Sequence, residues 1–86
     1  MAQRYPRVEV EWWDVEDDPE WQSFDEAVKG RCPLCYTTGR LLSVCHGIMV
    51  IATTVNCDDC GVTRIPVGCV KNVYRLQRDG MYKGWR

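Results

Sequence analysis

The sequence predicts a small β-rich α+β domain stapled by a metal, and three observations carry that expectation. Runs of alternating or β-branched residues recur along the 86 residues, broken by Gly, Pro and Asp. A chain this short buries too little surface to rest on its core alone, so a staple is expected. Two C-x-x-C steps, Cys32-Pro33-Leu34-Cys35 and Cys57-Asp58-Asp59-Cys60, offer one. Each step lets a tight turn aim two sulfurs at one point, and two such turns close a tetrahedron around an ion.

Residues 8–14, Val-Glu-Val-Glu-Trp-Trp-Asp, alternate apolar and acidic side chains and predict a half-buried strand with Val8, Val10 and Trp12 inward. An acidic connection follows to Pro19. Ser23-Phe24-Asp25-Glu26 has the form of a capping box, and Trp21, Phe24, Ala27 and Val28 fall on one side of a short helix that Gly30 terminates. Residues 36–44 and 48–55 are β-rich runs around Cys45-His46-Gly47, which predicts a hairpin. Residues 62–67 form another strand with Pro66 at its end or on an edge, and residues 69–76 a last one. Residues 1–76 are expected to form the single domain, with 77–86 a basic tail carrying Met81, Tyr82 and Trp85.

In a hairpin turning at residues 45–47, the start of the first strand lies beside the end of the second, so Cys35 and Cys57 should emerge together. That converts spacing into a candidate site: Cys32, Cys35, Cys57 and Cys60. Twenty-one residues, 36–56, separate the pairs, one more than the usual interval for four-thiolate zinc. Four thiolates suit Zn²⁺ and leave no position for water, so the ion is expected to be structural; iron is the rival metal. Arg31, Arg40 and Arg64 are candidates to offset its negative charge. Cys45, His46 and Cys69 are expected at the opposite pole, as packed cysteines and a solvent-facing turn histidine, since a fourth ligand is missing. A thioredoxin-like role for Cys32 and Cys35 fails because a strand, not a helix, follows them.

Two knuckles joined by a β-hairpin resemble the zinc-ribbon arrangement, and Cys60-Gly61 matches its glycine after the second cysteine; Tyr36 after Cys35 departs from it. A second resemblance is to short tailed-bacteriophage proteins of unassigned function. It lies in Val10-Glu11-Trp12 with Asp14, Trp21 before Ser23-Phe24-Asp25-Glu26-Ala27, Gly39-Arg40-Leu41-Leu42, Ile51-Ala52, Ile65-Pro66 and residues 70–76. It implies a strongly bent antiparallel sheet or barrel of about five strands, with a short helix packed on it and the zinc knuckles at one end of the central hairpin. It also implies an accessory role in host takeover or defence evasion.

Net charge is −1, yet nine acids and no base lie between Glu9 and Val28, whereas Lys29 to Arg86 holds nine bases and three acids. Tryptophans flanked by charge are common interface anchors, so Trp13, Glu16, Asp17 and Asp18 are candidate residues for binding a host protein. The alternative is a zinc-ribbon nucleic-acid-binding protein using Arg64, Lys71, Arg75, Arg78, Lys83 and Arg86 with Tyr74, Tyr82 and Trp85, against which stands a pI near 5.7. A third reading makes the acidic run a mimic of nucleic acid. No phosphate loop, paired carboxylate site or Ser/His/Asp set is present, so no enzyme is expected. The N-terminus carries no secretory signal and no run spans a membrane, which predicts a reducing, intracellular setting, the host cytoplasm.

Overall fold

A computed structural model describes residues 5–77. The elements are β1 (Arg7–Trp13), α1 (Phe24–Lys29), β2 (Leu34–Cys45), β3 (Ile48–Val55), β4 (Cys60–Pro66), a 3-10 turn (Val67–Cys69) and β5 (Val70–Arg75). The five strands form one antiparallel sheet in the order β4-β3-β2-β1-β5. No helix among the described residues is long and apolar enough to cross a membrane. The expected tail lies outside the described residues from Arg78 onward.

Period-2 patterning accounts for the strands. Val8 and Val10 are buried, and Trp12 packs against the core they form with Met49, Ile51 and Ile65. The β2–β3 turn is the two-residue loop His46-Gly47, with φ of 53° and 76°. Positive φ at both loop positions matches the right-handed twist of the flanking strands, and histidine is among the side chains that tolerate it. Pro66 closes β4 where a missing N–H costs no ladder bond.

β2 decides the shape. Its first half, Leu34 to Arg40, pairs with β1, and its second half, Arg40 to Cys45, pairs with β3; only Arg40 has partners on both sides. Leu42 is an extra residue in β2, a bulge that bends the strand there. Chain length requires a large bend. Pro66 lies level with Cys45 and Val70 level with Cys35, through the pairs Pro66↔Ile48↔Cys45 and Val70↔Trp12↔Cys35. Were β2 straight, those levels would be about 33 Å apart along the strand and β4 and β5 roughly 19 Å apart across the sheet. The four residue steps from Pro66 to Val70 reach about 14 Å at most. The sheet therefore folds over on itself at Gly39 to Leu42, a corner made by one strand serving two layers. The core cluster confirms it, since Val8 and Val10 from one layer meet Met49, Ile51 and Ile65 from the other.

Gly39 permits the corner. A Cβ built there overlaps the Ala52 carbonyl oxygen and stands 2.7 Å from Ile51 Cγ2, so only a residue without a side chain lets the strands cross so closely.

Of the bent sheet or barrel expected, the chain forms the bent sheet, left open because β4 and β5 are its two edges, joined by a turn rather than a ladder. One expectation needs correction: the helix is not packed on the sheet. α1 has its capping box, with Ser23 Oγ accepting from the Glu26 N–H at 3.1 Å and Glu26 Oε1 accepting from the Ser23 N–H at 3.2 Å. Yet none of its residues is buried, because the chain leaves the sheet at residue 14 and rejoins it only at residue 33, where the Asp14 N–H donates to the Pro33 carbonyl at 2.9 Å.

Candidate functional site

That 14–33 excursion is an arm. Every residue from Val15 to Pro33 is exposed. Trp21, just before α1, and Phe24 and Val28 on it are 100%, 92% and 83% exposed. Asp18 organises the approach to the helix by accepting from the Glu20 N–H at 3.3 Å and from Gln22 Nε2 at 3.2 Å. Glu16, Asp17 and Asp18 stand in solvent on the same arm as these uncovered apolar side chains. A six-residue helix is far below the length at which helices hold themselves in water, so its caps alone support it.

The thiols fall in two places. Cys32 is exposed at the end of the arm, and Cys35 is half-buried on the inner face of β2, opposite Trp12, with its thiol 4.0 Å from Asp14 Oδ2. Cys57 and Cys60 flank the β3–β4 turn and are exposed. Asn56 ties that turn: its side-chain oxygen accepts from the Asp58 and Asp59 N–H groups at 2.8 and 2.7 Å, and its own N–H donates to the Asp59 carbonyl at 2.9 Å. Gly61, the glycine that follows the second cysteine pair, lies in β4 opposite Thr54 and has no positive φ. An open cleft of about 440 Å³ adjoins this pair, lined by Tyr5, Arg40, Leu42, Ala52, Val55 and residues 56–60.

The donor chemistry fits zinc, as all six cysteines are free thiols. The placement does not assemble it: among the described residues no three His, Cys, Asp or Glu side chains form a group able to hold a metal. The reason is the corner. β2 and β3 pair only as far as Arg40↔Ala52, after which β2 turns away to β1 while β3 continues beside β4. The two pairs therefore leave the hairpin in different layers. At the other pole the strand from β4 does return to the hairpin turn, with the Val67 N–H on the Gly47 carbonyl at 2.8 Å. There Cys69 packs against the core, while Cys45 and His46 are exposed.

A cluster on the outer face of β2, β1 and β5 was not visible in the sequence. Glu11 is 8% exposed although it points away from the core. Its carboxylate accepts from Asn72 Nδ2 at 2.9 Å, Tyr74 OH at 3.2 Å and Tyr36 OH at 3.2 Å. The Asn72 bond, helped by both tyrosines and the Lys71 charge, outweighs desolvation and holds the Glu11 carboxyl below its ordinary pKa. The same bonds push Tyr36 and Tyr74 above the ordinary tyrosine value, because the carboxylate favours the protonated phenol. Lys71, the extra residue of a β5 bulge, sets its ammonium 5.4 Å from the centre of the Trp13 ring, and Trp13 is 42% exposed. The signal for this cluster lies in partner strands far along the chain, which Glu9-Val10-Glu11 alone does not name.

Comparison with protein-family models, characterised proteins and solved structures finds no match to this chain.

Proposed function

We propose that this is a non-enzymatic protein that works by binding another protein through Trp13 and the acidic arm that follows it. One observation carries the reading: a capped helix whose apolar side chains Phe24 and Val28, with Trp21 just before it, are all in solvent, on an arm rich in acids. Burying such a row on a partner recovers roughly 25 cal/mol per Å² of apolar surface, and the charge around it favours a basic rim on the partner. The resemblance to phage accessory proteins makes the partner a host protein. Capture from host lysate by the full chain tests this. Trp21→Ala or Phe24→Ala should abolish capture while leaving the melting curve unchanged, because neither ring contributes to the core. Capture that survives both substitutions would sink the arm reading.

Zinc belongs to the same proposal, as a structural ion held by Cys32, Cys35, Cys57 and Cys60. What supports it is the pairing of free thiols in two C-x-x-C steps and the formed turn under Cys57 and Cys60. Closure requires the base of the arm and the β3–β4 turn to approach, so the ion would also restrain the arm. Native mass spectrometry of freshly purified protein should show one zinc per chain, absent from Cys57→Ser. A metal-free chain, or one carrying two disulfides, removes zinc from the proposal and leaves the arm untouched.

A further inference from the structure

We propose that the outer face of β2, β1 and β5 is a docking site for an extended, arginine- or lysine-bearing segment of the partner protein, the cation lying over Glu11 between Tyr36 and Tyr74. The existence of a protein partner rests on the reading above; the site and its chemistry rest on this face. Glu11 is fixed rather than mobile, since three donors from two neighbouring strands hold its carboxylate. Because both phenols spend their protons on Glu11, their oxygen lone pairs are left to accept from an incoming N–H. The rings are themselves exposed on either side of the carboxylate. Planar, donor-rich guanidinium suits such a floor of acceptors with aromatic walls, and an ammonium suits it as a point charge.

Two further observations favour a cation. The chain already places one here: Lys71 lies over Trp13, showing what that ring accepts. Glu9 shares the face of Glu11, Arg7 and its partner Arg40 stand at the far end of that face, and the acids of the arm continue from Trp13, so the acids are gathered around Glu11 and toward the arm. A nucleic acid strand, for which aromatic rings on a sheet would otherwise serve, meets like charge at Glu9 and Glu11.

The test is titration of the full chain, at about 20 mM salt where charge screening is weak, with an unstructured peptide of alternating arginine and glycine. A glutamate–glycine peptide and single-stranded oligothymidine serve as comparisons, and NMR shifts are read at Trp13, Tyr36, Tyr74 and Trp21. The arginine peptide should bind saturably with shifts at the first three. Trp13→Ala should weaken it about tenfold, as loss of an anchor does. Lys71→Ala should tighten it by about two- to fivefold, because the internal competitor for the Trp13 ring is gone. That gain is a result that no purely structural role of Lys71 produces. Absence of saturable binding, shifts confined to Trp21 and α1, preference for oligothymidine, or weaker binding by Lys71→Ala would each overturn the proposal. Shifts confined to α1 would leave the arm reading standing, whereas failed lysate capture alongside intact peptide binding would do the reverse.

Discussion

Gly39 and Glu11 show how single residues set this molecule. Gly39→Ala puts a methyl into the Ala52 carbonyl, which backbone cannot yield without opening the corner. Overpacking of that kind costs roughly 1–3 kcal/mol, so urea melts should shift accordingly, and an unchanged midpoint would mean the corner is looser than drawn. Glu11 acts through proton linkage. Its lowered pKa gives the fold stability that is present above the ordinary carboxylate range and lost as pH falls through the lowered value. Tyr36 and Tyr74 behave oppositely: their raised values give stability present below the ordinary tyrosine range and lost as pH climbs through the raised ones. Glu11→Gln should bring the ring titrations of Tyr36 and Tyr74 back down toward the ordinary value, read by NMR of the ring carbons. Titration curves that do not move would show that another group holds the phenols protonated.

Among the elements, α1 and β2 teach opposite lessons. α1 is the element whose local signals were most complete, with cap, box and terminating glycine all as the sequence predicts. It is also the least integrated. Ser23→Ala removes a cap worth about 0.5–2 kcal/mol, yet the loss should stay within the arm. Amide exchange at residues 26–29 should accelerate while global melting stays put; a lower melting temperature would reveal packing of α1 that its exposure denies. β2 has weaker local signals and more consequence. Its twelve residues read as one arm of a hairpin because the nearest strand in sequence is β3, and nothing between Leu34 and Gly39 announces that β1 takes that half. The bulge at Leu42 and the bare Cα of Gly39 make the exchange possible, and both are properties of the assembled sheet.

At the scale of the molecule, the described residues bury a small apolar set: Val8, Val10, Met49, Ile51, Ala52 and Ile65. Ile51 and Ile65 have no exposed surface and join the two layers. Ile51→Ala should cost about 2–5 kcal/mol, a large share of what so small a domain holds in reserve. Most of the chain should then be unfolded at 37 °C by circular dichroism, and a fully cooperative native melt would show that the layers are joined elsewhere. If zinc closes the two thiol pairs, added Zn²⁺ should restore part of that loss, since an ion bound only by the folded chain stabilises it by mass action.

Local pattern was enough for the strands, the His46-Gly47 turn, the helix caps and the inward set of β1, because each depends on residues within a few positions of one another. It also brought the thiols, acids and tryptophans into view as chemistry. It took the assembled sheet to make β2 turn a corner, to send the two C-x-x-C steps into different layers, to leave the helix uncovered and to gather Tyr36, Asn72 and Tyr74 on Glu11. Those outcomes rest on which distant strands become neighbours, and partner choice is fixed by closure of the chain and close approach at one glycine, not by any local pattern.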